Sequence, residues 1–368
     1  MKKKHKKLIY FIAGEPSGDL HASNLLLQLK KLDDNLIFRG LGGPLMEAQG
    51  LFPIDDFKKL SVMGFFEVLR DLPFFIKLKK KVINDIKNHS PATLVLVDYP
   101  GFNLKIAKAI KNKIRNINIV YYISPQIWAW KEKRINIIKK HIDSLIVLFP
   151  FEVAWYKNRG VNVQYFGHPL IDLYKSHASE VGFKKNKVIG LFPGSRSQEI
   201  VKHVPVLKEC INLLKNRFKN IHFLVGLAEG TNKDVVLDLG LKTNFTIIKN
   251  NSLKAFNLSD VAIVASGTAT LECAITKTPC VVIYKTSILS WLIASLFMKI
   301  QFVSIVNILA NKMVYKELLQ KKCTPQLIYK NVLNLLENKD CGKIKELEDL
   351  SGSLGEGTAY LNTAKYIL

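Results

Sequence analysis

Short apolar runs rich in β-branched and aromatic residues alternate along the chain with segments of helical periodicity. The runs occupy residues 8–13 (LIYFIA), 36–41 (LIFRGL), 93–98 (TLVLVD), 118–124 (NIVYYIS) and 144–149 (SLIVLF), then 188–192 (VIGLF), 221–226 (IHFLVG), 245–249 (FTIIK), 261–266 (VAIVAS) and 280–284 (CVVIY). Strands in this order, each followed by a helix-length segment, predict α/β architecture with parallel sheets and right-handed crossovers. Between Gln164–Pro169 and the run at Val188 lies a polar, lysine-rich stretch with no strand pattern, which reads as a linker over 169–187. The expected arrangement is two doubly wound domains, 1–168 and 188–345, facing each other across a cleft. In such sheets ligands bind outside the carboxyl ends of the strands, so the loops that follow each strand are where chemistry is sought.

Composition agrees with a folded chain: 368 residues, 48% hydrophobic and 23% charged, enough for two medium domains with cores of their own. The 54 basic and 30 acidic residues leave a net charge of +24, spread through both halves. Such a field attracts phosphates in any form, from nucleotides to anionic lipid headgroups. Only seven of the basic residues are arginine, which argues against a nucleic-acid reader. Five cysteines, odd in number and never at C-x-x-C spacing, suggest neither a disulfide framework nor structural zinc, and a reducing compartment is expected. The lysine-rich N-terminus precedes only six apolar residues, Leu8–Ala13, too few for a signal-peptide core, so a cytoplasmic location is expected. The longest uncharged stretch, Thr286–Met298, has thirteen residues where a spanning helix needs about 20, and reads as a buried helix in preference to a membrane-touching one.

Three loops of the first domain carry candidate chemistry. After the first strand, Gly14-Glu15-Pro16-Ser17-Gly18-Asp19 lets the backbone approach a ligand closely, but its two acids would repel phosphate and it lacks the dinucleotide pattern G-x-G-x-x-G. Sugar hydroxyls suit it better, making Gly14, Ser17 and Asp19 acceptor-pocket candidates; the competing reading is a glycine turn with Asp19 set against a helix dipole. Asp98 ends the run 93–98 and is followed by Tyr99-Pro100-Gly101-Phe102-Asn103. A carboxylate at the carboxyl edge of a sheet is placed for a general base, and equally for capping the next helix. Ser124, Gln126 and Trp128 lie in a strand-end loop with a second indole, Trp130, followed by Lys131, Lys133 and Arg134. The indoles can wall a sugar-face pocket and the cations hold a phosphate, or the rings can simply pack.

In the second domain, Pro193-Gly194-Ser195-Arg196-Ser197-Gln198-Glu199 leads from a strand into a helix. Ser195 and Gln198 have capping-box spacing, the turn offers backbone N–H groups to a phosphate, and Arg196 adds a bidentate partner. The phosphate-binding P-loop pattern is absent. Ser266-Gly267-Thr268-Ala269-Thr270-Leu271-Glu272 repeats this logic, with Glu272 expected in the first turn of its helix, able to hold a ribose diol. No Asp-x-Asp occurs. Neutralising a diphosphate leaving group therefore falls to Arg196, helix termini and backbone amides, without metal. Finally, Met63, Phe65, Phe66, Leu69, Leu72, Phe74 and Phe75 crowd a short span flanked by Lys77 and Lys79–Lys81, the composition of a membrane-dipping segment or of a buried helix.

Taken together these residues resemble the lipid-A-disaccharide synthases, a GT-B type glycosyltransferase family of two Rossmann-like domains. The resemblance covers nearly the whole chain and rests on AGEPSGDLHASN (13–24), LSVMGFFEVL (60–69), VDYPGFN (97–103), ISPQIWAW (123–130), FPFE (149–152), FGHPL (166–170), LFPGSRSQE (191–199), ASGTATLE (265–272) and NILANKMVYKELLQ (307–320). It implies an inverting transferase that moves 2,3-diacylglucosamine from its UDP donor to the 6-hydroxyl of 2,3-diacylglucosamine 1-phosphate, without a cofactor. It further implies that Asp98 is the base, that Glu15 and Asn307 join it as candidate catalytic residues, and that Gly194, Ser195, Arg196, Ser266, Gly267, Thr268 and Glu272 hold the nucleotide. Peripheral attachment to the cytoplasmic face of a Gram-negative inner membrane is implied as well. So is a C-terminal segment, 346–368, that returns to the first domain or is exchanged in a homodimer. Lys312 departs from the pattern, standing where many relatives have arginine. Two rivals stay open on the residues alone: a nonhydrolysing UDP-sugar epimerase of the same architecture, and a noncatalytic membrane-surface binding protein.

Overall fold

The computed structural model describes residues 7–57, 72–114, 116–177, 187–228, 231, 234–287, 291, 301–338 and 341–368. Met63, Phe65, Phe66 and Leu69, most of the uncharged stretch 286–298, and half of the expected linker lie outside the described residues. The chain forms two compact units, one running to Asp172 and taking in Gly355–Leu368, the other spanning Leu173–Leu354.

The first unit is built on seven strands: β1 (Lys7–Ala13), β2 (Leu36–Leu41), β3 (Leu51–Pro53), β4 (Thr93–Val97), β5 (Asn118–Tyr122), β6 (Ser144–Val147) and β7 (Gln164–Tyr165). Their order is β3-β2-β1-β4-β5-β6-β7, with every pair parallel. Strand order reverses between β1 and β4, whose last residues Ala13 and Val97 stand side by side. The loops that begin at Gly14 and Asp98 therefore leave the sheet together, at its topological switch point. The central strands are wholly buried apolar runs because helices cover both faces of a doubly wound sheet.

One polar device anchors a crossover helix to this sheet. Asp85, on the helix Leu72–His89, accepts two bonds from the Arg39 guanidinium at 2.8 and 2.7 Å and one from the Tyr10 hydroxyl at 3.0 Å. The bidentate pair draws the Asp85 carboxyl below its usual range against the opposing effect of burial. At the start of the same helix Phe74 and Phe75 lean on the core, with Phe75 6.3 Å from the Phe102 ring, whereas Leu72 and Ile76 are each 49% exposed. Among the described residues no helix is long and apolar enough to cross a membrane.

The second unit repeats the plan with six parallel strands: β8 (Lys187–Phe192), β9 (Ile221–Leu227), β10 (Phe245–Lys249), β11 (Val261–Ala265), β12 (Cys280–Tyr284) and β13 (Lys316–Leu319), in the order β10-β9-β8-β11-β12-β13. The switch point here lies between β8 and β11. Phe192, the last residue of β8, stacks on Phe256 with ring centroids 3.8 Å apart. Glycine at 226 makes room for this pair, since a Cβ there would run into the Phe192 ring.

The C-terminal segment packs on the first unit of its own chain. The helix Ala359–Ile367 lies along the helix Pro16–Leu32, and Asp172 accepts from the backbone N–H of Ala359 at 3.1 Å. His21 Nδ1 meets the Tyr360 hydroxyl at 2.8 Å, with both side chains buried. Nearby His168 is buried too, and its Nδ1 accepts from the backbone N–H of Leu170 at 3.2 Å. The expected linker thus opens with a helix, Pro169–His177, whose first residues belong to the first unit.

Burial holds both imidazoles neutral, with His21 pushed down to about 4 and His168 to about 3. Both ordinarily titrate near 6.5, so the unfolded chain binds protons at a pH where the native one does not. Their stabilisation is complete above that value and is lost as pH falls below it, by up to about 1.4 kcal/mol per pH unit for each histidine. Urea unfolding at pH 7, 6 and 5 should show this decline, and a His21→Gln variant should show a shallower one; a flat profile in the parent protein would contradict it. Gly226→Ala should cost about 1–3 kcal/mol in the same assay by overpacking Phe192, and an unchanged midpoint would mean the ring shifts freely.

Candidate functional site

At the carboxyl edge of the first sheet two acids from neighbouring loops stand out. Glu15 is the N-cap of the helix Pro16–Leu32, but its side chain makes no capping hydrogen bond. Among the described residues its half-buried carboxylate has no hydrogen-bonding partner. Asp98 occupies the first position after β4 in left-handed backbone, φ +45°, and Tyr99 follows at φ +49°. The ring of Tyr99 folds over Gly14, so closely that no Cβ would fit there. Burial first, and the charge of Glu15 second, push the Tyr99 phenol up to about 12. Tyr121, buried beneath, is raised by burial and by the charges of Asp98 and Glu15, while Arg134 opposes them. The two acids and a cation therefore surround the same buried phenol.

The third acid expected here is occupied elsewhere. Asp19 is buried and accepts from the backbone N–H groups of Gly43 at 2.9 Å, Met46 at 3.0 Å and Leu45 at 3.1 Å. It fixes the turn after β2 and the start of the helix Pro44–Ala48, and both its oxygens are used in doing so. It sits against more than its own helix dipole, and three of its lone pairs are taken within the protein. Ser17 is exposed on the first turn and Gly14 lies buried under Tyr99.

The loop after β5 is organised by Glu152, an acid the sequence presented only as part of FPFE. Its buried carboxylate accepts from Ser124 Oγ and Trp128 Nε1, both at 3.0 Å, and from the backbone N–H groups of Leu148 and Phe149, both at 2.9 Å. Burial raises the Glu152 pKa and these four bonds act against the rise. Ser124 and Trp128 are consequently spoken for: the indole stands edge-on to Phe151 at 5.0 Å and its N–H is used internally. Gln126 and Trp130 are exposed, with Lys131 Nζ 4.0 Å from the Trp130 ring centre. A signal for Glu152 was present, since an acid three residues after a helix N-cap with proline between is half of a capping box.

In the second unit, the turn after β8 differs from the expected capping box. Arg196, not Ser195, is the N-cap, and no side chain caps the helix Ser197–Arg217. Ser195 is exposed, Gly194 takes φ +118°, and Arg196 is 75% exposed, touching Glu199 at 3.4 Å. A residue that spacing did not reveal ties this turn to its neighbour. Buried His203 donates from Nδ1 to the Pro193 carbonyl at 2.7 Å and accepts at Nε2 from the Lys285 N–H at 2.9 Å. That pair of partners fixes the neutral tautomer, and burial lowers the pKa in the same direction.

At the end of β11, Gly267 is the N-cap of the helix Thr268–Ile275 with φ +156° and ψ −160°, a conformation that favours glycine. Ser266 Oγ donates to the Val303 carbonyl at 3.1 Å, and Thr268 is exposed. Glu272 is the fifth residue of the helix and lies past the expected first turn, where an acid would simply complement the helix dipole. It is partly buried, which raises its pKa, and the Ser252 hydroxyl bonds it.

Asn307, expected to be catalytic, is wholly buried with each amide group satisfied. Its Nδ2 donates to Tyr315 O and Glu317 Oε1, both at 2.8 Å, and its Oδ1 accepts from the N–H groups of Val314 and Tyr315, both at 2.9 Å. No capacity is left for a reacting atom. Glu317 in turn accepts from Val303 N–H and from Ser304 N–H at 2.9 Å. Asn307 and Glu317 therefore fix the segment whose Val303 carbonyl receives Ser266. Lys312, the departure from the pattern, pairs with Glu346 at 2.6 Å.

Comparison with known proteins separates fold from family. Among solved structures, the UDP-GlcNAc 2-epimerase from Neisseria meningitidis bound to UDP-GlcNAc is similar with a TM-score of 0.67 at 12% identity, covering 98% of both chains. The calicheamicin glycosyltransferase CalG4 is similar with a TM-score of 0.64 at 11% identity, covering 99% of this chain and 98% of that one. At those identities the likeness is one of fold: two Rossmann-like parallel-sheet domains of the GT-B type, an architecture that serves epimerase and transferase alike. Sequence discriminates where fold does not. The family model for lipid-A-disaccharide synthetase matches residues 9–361. Lipid-A-disaccharide synthase 1 of Legionella pneumophila (strain Lens) is 39% identical over 367 residues, 95% of this chain and 94% of the relative. With a match of that extent across both units, the chain belongs to the lipid-A-disaccharide synthase family.

Proposed function

We propose that this protein transfers 2,3-diacylglucosamine from its UDP donor to the 6-hydroxyl of 2,3-diacylglucosamine 1-phosphate, giving the β-1′,6 tetraacyl disaccharide 1-phosphate and UDP. The observation that carries the mechanism is Asp98, set in left-handed backbone at the switch point of the first sheet next to Glu15. Consecutive left-handed non-glycine residues are uncommon, and strained backbone of this kind concentrates at functional sites. In the proposed step Asp98 takes the proton of the acceptor hydroxyl as its oxygen attacks the anomeric carbon from the face opposite the nucleotide. The bond from that carbon to the diphosphate breaks, and UDP leaves with the electron pair. One displacement inverts the centre, turning an α-linked donor into a β product. Glu15 is assigned to the acceptor's sugar hydroxyls.

In the second unit, Arg196 is assigned to the diphosphate. Its exposure and its long contact with Glu199 leave the guanidinium able to turn to an incoming anion. The uncapped N–H groups after Gly194 and Gly267 supply further donors, and Glu272 holds the ribose diol. Asn307 is assigned a positioning role, through the Val303 segment. No metal is needed in this reading, because arginine and backbone amides carry the leaving-group charge. The exposed Leu72 and Ile76 support contact with the inner-membrane surface on its cytoplasmic face, where both acylated substrates reside. In a C-terminally exchanged dimer, the seat formed by His21 would receive the partner's helix in place of this chain's own.

In detergent micelles containing both lipid substrates, disaccharide and UDP should form in equal amounts with EDTA present. UDP release without disaccharide, or UDP binding with no reaction, would overturn the reading, the latter in favour of an epimerase. Asp98→Ala should lose about a hundredfold or more in kcat while UDP affinity is kept; full turnover would remove Asp98 as the base. Arg196→Ala should weaken UDP binding about ten- to a hundredfold by calorimetry, and an unchanged affinity would take Arg196 out of the site.

A further inference from the structure

The backbone that presents Asp98 is held by two side chains that the reaction does not otherwise use. The Asp98 carbonyl oxygen accepts from Tyr121 Oη at 2.6 Å and from Asn103 Nδ2 at 2.7 Å, so both of its lone pairs are taken. Tyr121 and Asn103 are each 0% exposed. The same Asn103 nitrogen lies 3.1 Å from the Val97 carbonyl and 3.4 Å from the Ile12 carbonyl, bringing the ends of β4 and β1 onto one amide. Its Oδ1, also buried, has no partner among the described residues. A leucine would fill similar space without orphaning an acceptor, so what asparagine contributes here is its donors. They converge on two consecutive non-glycine residues in left-handed backbone, Asp98 and Tyr99.

We infer that Tyr121 and Asn103 are positioning residues for Asp98, a two-donor clamp on its carbonyl that keeps its backbone left-handed and so aims its carboxylate. The inference rests on Asp98 being the base. A left-handed aspartate is disfavoured relative to its right-handed or extended forms. The amide side is held as well, with the Asp98 N–H donating to the Tyr122 carbonyl at 3.0 Å, so with both flanking peptide planes pinned neither φ nor ψ can relax without breaking buried hydrogen bonds. Released from either donor, the residue rotates toward ordinary backbone and the carboxylate swings off the line of the attacking hydroxyl. A misplacement of about 1 Å at a reacting group is enough to lower a rate by roughly 10²-fold.

The test uses the full-length protein and the lipid assay above. Tyr121→Phe keeps the ring and removes only the hydroxyl, and should lower kcat at least tenfold with both KM values and UDP affinity changed less than threefold. Asn103→Leu should do the same. Tyr122→Phe is the control: its hydroxyl is equally buried and bonds nothing among the described residues, so its loss should leave kcat unchanged. A crystal structure of Tyr121→Phe should show Asp98 out of the left-handed region. If Tyr121→Phe folds and keeps kcat within twofold while Asp98→Ala is inactive, the clamp is wrong and the base reading stands. If Tyr121→Phe and Tyr122→Phe lose activity equally, the effect is one of general packing and the clamp is again wrong. Should Asp98→Ala be fully active, the base reading fails and takes the clamp with it.

Discussion

Parallel pairing is the constraint on which the rest of this structure depends. A strand that must run in the same direction as its neighbour cannot be reached by a tight turn, so each connection climbs back through a helix and every strand ends at one edge. Both sheets follow this rule for every strand pair, with the strand order reversing at β1/β4 and at β8/β11. At those reversals consecutive connections go to opposite faces, and the loops between them open away from each other. Glu15 and Asp98 share one such point, and the turns at Gly194 and Gly267 share the other. Residues 83 positions apart in the first unit thereby become neighbours through strand register alone.

Within that frame, hydrogen-bond capacity sorts the acids. A carboxylate that accepts three or four internal bonds is a structural element, whatever motif it belongs to. Asp19, Glu152 and Glu317 are of this kind, each gathering backbone amides of a turn that would otherwise end unsatisfied. Glu15 is of the other kind, with its side chain making no cap on the helix it begins. The buried histidines divide similarly. His203 joins the Pro193 turn to Lys285 as a fixed neutral tautomer, and His21 joins the first helix to the C-terminal one. These polar contacts brace the glycine-containing turns, whose backbone has little intrinsic stiffness.

Most strands were legible because a strand buried on both faces has to be apolar throughout. The three that left no run in the sequence, β3, β7 and β13, are all edge strands. They are two to four residues long and are covered less completely, so neither length nor apolarity marks them. Capping was read less well than strands. Ser195 with Gln198 matched a capping box by spacing, yet the helix starts one residue later, and Glu272 fell a turn further along its helix than expected. Helix starts depend on the φ and ψ of one residue, which spacing does not constrain.

The sequence by itself determined the two-domain α/β plan and the family. It did so because strand periodicity and motif order are properties of neighbours along the chain. Only the tertiary structure decided which polar residues are spent and which remain available. Asn307, a catalytic candidate by resemblance, is buried and fully satisfied on the helix Ile305–Ala310, whereas Tyr121 and Asn103, which no motif reading singled out, converge on the backbone of Asp98. A hydrogen bond is a relation between atoms brought together from distant positions, and its existence depends on angstroms that no linear pattern encodes.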